Sequence, residues 1–183
     1  MLITRAANAR AIFTKLLFVL FLCATVAAGQ SNKSVYTSLD EKQCRKIKTD
    51  AADYEGRCRG AAGYTLLVTE GDLRQNVTVV TPAGAKHSLD LWDVVSGGFS
   101  SVGPKAEWRM ARQNGKAAPV ALIIRYNASE NPDQPDKLSS YLVVTKVTPT
   151  EICVTDKISP GPKANEDARR AADSSSTKPC LKP

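Results

Sequence analysis

Histidine is almost missing from this sequence: His87 is the only one among 183 residues. Any Ser/His/Asp or Cys/His mechanism would have to run through it, and no GxSxG-type nucleophile motif accompanies it, so it reads as a solvent-facing residue at a strand edge. No two cysteines stand closer than 14 positions, which removes both the closely spaced pairs that build zinc sites and the CxxC dithiol. Aromatic residues make up 6% of the chain and its basic residues form no dense stripe, so the stacking platforms and electrostatic footprint of a nucleic-acid binder are lacking. No sequence period recurs, against repeat architectures. No acidic residue precedes Asp40, and no apolar run approaches the roughly 20 residues of a spanning helix.

That last pair of absences frames the first feature present. Arg5, Arg10 and Lys15 precede the apolar run Leu16–Cys23, and Ala24, Val26, Ala27, Ala28 and Gly29 follow it. A basic region, a short apolar core and a small-residue zone in that order read as a signal peptide over residues 1–28, cleaved after Ala28. Leu22 directly before Cys23 argues against a lipidated cysteine, so Cys23 is expected to be discarded and no stable membrane anchor to remain. Losing three basic residues lowers the formal charge from +7 to +4. Such a mildly basic surface suits anionic envelope partners.

Cys44, Cys58, Cys153 and Cys180 are then an even set in an exported chain, and a disulfide framework is the first reading. The spacing favours Cys44 with Cys58 and Cys153 with Cys180, since each pair brackets a loop-rich segment. Neither a metal site nor a cofactor-binding signature is present.

Residues 29–62 are polar and charged, and read as an irregular arm with one short strand, stapled by its own disulfide. From residue 63 the texture changes. Tyr64, Leu66 and Val68 alternate with polar neighbours, "EGD" turns the chain, Val77 and Val79 mark a second strand, and "TPAGAK" leads to a third closed by Leu89 and Leu91. A helical turn is expected over Trp92–Ser96, then a loop. A hairpin follows, with Trp108 and Met110 on one face, "QNGK" as its turn, and Val120, Leu122, Ile124 and Tyr126 on the core face of a long strand. Ala121 and Ile123 point the other way, so both faces of that strand should be covered. After the polar loop "ENPDQPDK" come strands over "LSSYLVVTKVTP" and "EICVTDKI". "ANEDARRAAD" reads as a terminal helix with Asn165 as its candidate cap and Glu166 and Asp167 in its first turn. Together these predict a mainly β domain over residues 63–183, an antiparallel sandwich or partly open barrel of seven to eight strands with a C-terminal helix.

Candidate contact residues concentrate in "DLWDVVSGGFSSVGPKAEWR", which holds both tryptophans. Glycine-rich loops carrying aromatic residues are common ligand-contact positions in β domains, so Trp92, Phe99, Trp108 and Arg109 form the candidate binding group. Within it Trp108 reads first as a core residue, while Trp92 and Phe99 divide evenly between core and contact. Carboxylates at Glu70, Asp72, Asp90, Asp93 and Glu107 offer the minimal kit for glycoside hydrolysis, although acids beside glycine mostly make turns. Asn76 and Asn127 stand in N-x-S/T acceptor sites.

The blocks "GDLRQNVTVV", "LDLW", "FSSVGPKAEWR", "YLVVTKV" and "EICVTD" resemble a group of small exported bacterial proteins, chiefly of proteobacteria, that carry no assigned function. The resemblance spans roughly Tyr64 to Cys180; it implies a periplasmic address and transfers no activity and no site. The expectation is a periplasmic or secreted, non-enzymatic binding or interaction module, contacting or inhibiting an envelope protein, or holding an anionic envelope polymer, through its Gly-rich aromatic loop. A small polysaccharide hydrolase is the alternative, and a purely structural envelope protein, which should self-associate, a third.

Overall fold

Strand formation follows the period-two alternation of β-branched and aromatic residues, and the sheet it builds continues into the segment that reads as an arm. The computed structural model describes residues 32–49, 53–113 and 115–183; the signal peptide expected over 1–28, with Cys23, falls outside them. In chain order the elements are β1 (Lys33–Ser38), β2 (Arg45–Thr49), β3 (Asp53–Arg59), β4 (Thr65–Gly71), β5 (Arg74–Val80), β6 (Lys86–Ser88), α1 (Leu91–Val94), β7 (Ser100–Gln113), β8 (Lys116–Ser129), β9 (Leu138–Val147), β10 (Ile152–Ile158) and α2 (Ala164–Asp173). A short 3-10 turn, Ser175–Thr177, follows.

The ladder runs β10-β9-β8-β7-β5-β4-β3-β2, with β1 added to β7 and β6 to β5. Every pairing is antiparallel except β5 with β7, which touch in parallel at one position, Arg74 opposite Ser100. That single link joins two five-stranded halves, and their apolar faces share one buried cluster: Leu66, Val68, Val77 and Val79 from one half, Trp108, Leu122, Ile124 and Val143 from the other. The Tyr64 and Trp108 rings meet across it with centroids 5.6 Å apart. The mainly β class and the terminal helix are as expected, in an open, folded-over ladder of ten strands and not a closed barrel.

A second cluster covers the opposite face of β8 and β9. Ala121, Ile123, Leu142 and Val144 pack against Ala168, Ala171 and Ala172 of α2. β8 is therefore buried on both faces, as its unbroken apolar run indicates. Both disulfides form with the expected partners, Cys44 with Cys58 and Cys153 with Cys180. The second holds the tail after α2 beside β10, where the Leu181 amide donates to the Val154 carbonyl at 2.8 Å.

Four details differ from the sequence reading. The segment before residue 63 carries three strands; the edge strand β2 is charged and exposed over residues 45–48, which is how edge strands avoid pairing with other chains, and β1 is half exposed, so the periodicity of both is faint. β7 begins at Ser100, inside the expected loop, because shifts of register between Val102 and Ala106 absorb Pro104, which cannot donate to a ladder. The third strand shrinks to β6, with Leu89 and Leu91 buried beyond its end. Finally, Asn165 lies inside α2, whose N-cap is Lys163 with no side-chain cap bond; Glu166 and Asp167 supply the favourable charge of the first turn instead.

Candidate functional site

The connection from β6 to β7 is where the sequence concentrates aromatic residues and glycines, and the structure fixes it at several points. Leu89 and Leu91 are buried anchors. The Asn76 side chain on β5 accepts the Leu91 amide through its Oδ1 at 3.1 Å and donates through Nδ2 to Ser88 at 2.9 Å, so this acceptor asparagine is committed to holding α1. Lys157 on β10 donates to the Val95 carbonyl at 2.5 Å. Beyond it the chain runs through Gly97 and Gly98 against the end of β8. A Cβ on Gly98 would stand 1.9 Å from the Ser129 carbonyl oxygen, so only glycine permits this approach. The Ser129 amide then donates to the Phe99 carbonyl at 2.9 Å.

Clamped this way, Phe99 remains 48% exposed as a residue. The Arg74 guanidinium carbon lies 5.4 Å from its centroid, and Arg74 Nε donates to the Gly97 carbonyl at 2.9 Å. Arg74 also pairs with Asp72. The facing wall is the loop after β8, where Pro132 stands in a turn closed by Gln134 N–H to Asn131 O and Pro135 in the next, closed by Lys137 N–H to Gln134 O, each at 3.0 Å. Between the walls lies an open recess of about 640 Å³, whose lining includes Arg74, Phe99, Glu130, Pro132 and Pro135. Glu130 accepts from the Tyr141 hydroxyl, and Lys157 sits 3.5 Å from its carboxylate; the hydrogen bond from Tyr141 and the charge of Lys157 hold its carboxyl below the usual range against the opposing effect of burial.

A further feature of this end was not legible in the residue pattern. The two-residue loop between β4 and β5, Asp72 and Leu73, has φ of 51° and 58°, the left-handed region that Gly and Asn occupy freely. Leu73 is a γ-branched apolar residue in that conformation and is 63% exposed. Its carbonyl accepts the Ser100 amide at 2.9 Å, which places it beside Phe99. Strain and exposed apolar surface coincide at one end of the molecule.

The four candidate contact residues thus separate. Phe99 lines the recess; Trp92, on α1, is partly exposed and stands outside its lining. Trp108 is fully buried, its indole N–H donating to Thr37 Oγ1 at 2.9 Å. Arg109, on the other face of β7, is 6% exposed and committed, with Nε and Nη2 on the Asp173 carboxylate at 2.9 and 2.8 Å and Nη1 on Ser34. It holds α2 to the sheet and is not free for a ligand.

Each of the five acids has a local setting of its own. Glu70 accepts from Gln75, Asp72 pairs with Arg74, Asp90 accepts from Ser88 at 2.6 Å, and Asp93 lies on α1. Of the five, Glu107 lines the recess beneath α2, and none of the three recesses described among these residues is lined by two of them. Burial opposes ionisation of Glu107, but hydrogen bonds from Arg169 and Ser34 and the charge of Arg169 hold its carboxyl below the usual range. His87 sits half-buried on the edge strand β6. Glu151 stands within 4.8 Å of the sulfurs of Cys153 and Cys180, but bridged sulfurs offer no thiolate to a metal. Among the described residues no helix is long and apolar enough to cross a membrane.

No protein-family model, curated protein or solved structure matches the chain, so its class is given by the fold and the recess themselves: a disulfide-stapled, folded-over β domain with a loop-built apolar notch at one end.

Proposed function

We propose that this protein is an exported binding module that holds a segment of another envelope protein in the recess between the Gly-rich loop and the proline loop. The observation that carries the reading is Phe99: a half-exposed aromatic ring on a backbone clamped by Gly98, with Pro132 and Pro135 across an open recess of about 640 Å³. Rigid aromatic anchors give contact area at low entropic cost, which is what a recognition hot spot needs. Arg74 and Glu130 set opposite charges at the margins, which favours a polar peptide backbone over a uniformly anionic polymer. Export is part of the same proposal. It is supported by the leader-like residues 1–28, by two disulfides, and by the likeness of the sequence blocks to small exported bacterial proteins.

The test is capture of partners from envelope extract by the oxidised protein and its Phe99→Ala variant, identified by mass spectrometry. Loss of the captured protein with Phe99→Ala, at an affinity cost of roughly 2 kcal/mol, is expected for a central aromatic anchor. A partner retained at unchanged affinity would assign recognition elsewhere.

A further inference from the structure

We propose that the recess beneath α2 is a second, independent binding site, for a small organic anion with an apolar body. The recess holds about 430 Å³, within the range of small-molecule pockets, and lies on the outer face of the β7–β8–β9 sheet. Its floor is apolar, formed by Ile123, Leu142 and Ala168, all otherwise buried in the cluster under α2.

Its two walls differ in charge. On one, Glu107 takes Arg169 Nε at 2.7 Å and Nη2 at 3.2 Å, while Arg169 also donates to the Tyr36 hydroxyl at 3.0 Å, so this wall is neutral as a pair. On the other wall stand Lys105 and Arg125, and neither forms an ion pair among the described residues. Arg125 is nonetheless positioned. Its Nη1 donates to Ser140 Oγ at 2.8 Å, and that hydroxyl donates onward to Asn127 Oδ1 at 2.7 Å. Gly103 lets the chain of β7 lie against the Arg125 stem; a Cβ there would stand 2.8 Å from Arg125 Cβ.

An oriented guanidinium and an ammonium without a carboxylate, above a patch of aliphatic side chains, select a ligand that carries its own anion and its own hydrocarbon. The anionic head meets Lys105 and Arg125, and the apolar body covers Ile123 and Leu142. A smaller recess of about 290 Å³ shares Tyr36, Pro104 and Lys105 with this one, so an elongated ligand has room to extend past Tyr36.

The test uses displacement of a fluorescent anilinonaphthalene sulfonate from the full, oxidised protein by decanoate, decyl phosphate, decanol and inorganic phosphate. Decanoate and decyl phosphate should displace it saturably, with decanol at least roughly tenfold weaker and inorganic phosphate without effect. The ranking of the first two separates a free acid from a lipid phosphate as the source. A Lys105→Gln, Arg125→Gln double variant should weaken decanoate by roughly tenfold, while Phe99→Ala leaves it unchanged and so separates this site from the loop recess. Equal displacement by decanoate and decanol would reveal an unselective greasy surface. Equal displacement by decanoate and phosphate would reveal a bare cation patch. Either result, or no saturable displacement, overturns the proposal. Should the double variant fail to fold, the ranking of the four probes on the native protein decides.

Discussion

The two recesses of this domain are built on opposite principles. At the Gly-rich end the walls are loops, set by backbone contacts: Gly98 against Ser129, the strained Asp72–Leu73 turn, and a proline turn. Under α2 the walls are side chains, set by charge: Arg109 on Asp173, Arg169 on Glu107, and a helix laid on alanines. A notch built mainly on backbone contacts leans less on ionisation but tolerates no added atom at Gly98, whereas a charge-built recess tolerates small changes of shape and depends on ionisation. The same ladder supports both, because β8 lies between the two clusters and is covered on each face.

The largest way to break this contrast is to cut the covalent tie on one side. Replacing Cys153 and Cys180 by serine removes a bridge spanning a sequence separation of 27, worth about 3.5 kcal/mol in the chain-entropy model. The tail after α2 should loosen, held still by Lys178 to Asp156, Lys146 to the Lys178 carbonyl and Leu181 to Val154. Urea unfolding should show the loss, and amide exchange should accelerate in α2 while the amides of Ser100 and Ser129, bonded to the Leu73 and Phe99 carbonyls, remain protected. Uniform acceleration at both ends would show that the two recesses share one cooperative unit.

Acid should sharpen the same contrast. The Asp173 carboxyl, like that of Glu107, lies below its usual range: burial opposes ionisation, but hydrogen bonds from Arg109 and Asn32 outweigh it. A carboxyl lowered on folding contributes stability above its unfolded value, about 3.9 for Asp and 4.3 for Glu, and loses it as pH falls through the folded value. Stability should therefore hold from neutrality to about pH 5 and then fall, by on the order of 1–2 kcal/mol, with α2 exchanging first. Urea midpoints taken stepwise from pH 7 to pH 3 check this. Asp173→Asn should flatten the acid slope, and an unchanged slope would remove Asp173 from the explanation. Glu130 is lowered as well; its side chain is 37% exposed against 12% for Glu107, so it contributes less than Glu107 does.

How far the sequence reveals these two places follows from what builds each. The strands of the core were legible because Leu66, Val68, Leu122 and Ile124 alternate on a buried face, and the disulfide pairing because each bridge closes a local loop. Phe99 was legible as a candidate because glycines around an aromatic residue mark a loop. The fate of Arg109 was not, since its partner Asp173 lies 64 positions away and only the packing of α2 brings them together. For the same reason the α2 recess left no local signature: Tyr36, Lys105, Arg125 and Arg169 come from four separate elements. One short strand is expected before residue 63 and three form: the edge strand β2 is charged and β1 is largely exposed, which erases the alternation that announces an interior strand, while β3, paired on both sides, sets Asp53, Glu55, Arg57 and Arg59 against only Tyr54, Gly56 and Cys58.

The smallest effect isolates the strain at the loop end. Leu73 holds φ of 58° with a side chain that makes no buried contact to compensate, being 63% exposed. A residue with a Cβ in the left-handed region loses roughly 1–2 kcal/mol there, while glycine gives back part of that through unfolded-state entropy. Leu73→Gly should therefore stabilise the protein by up to about 1 kcal/mol, read as a higher urea midpoint with an unchanged slope. If the exposed leucine belongs to the binding surface around Phe99, the same variant should bind the captured partner more weakly. Gain of stability with loss of binding would place Leu73 with Phe99 in the recognition surface. Gain of stability with full binding would confine recognition to the recess walls, and no gain at all would mean that this turn carries no strain.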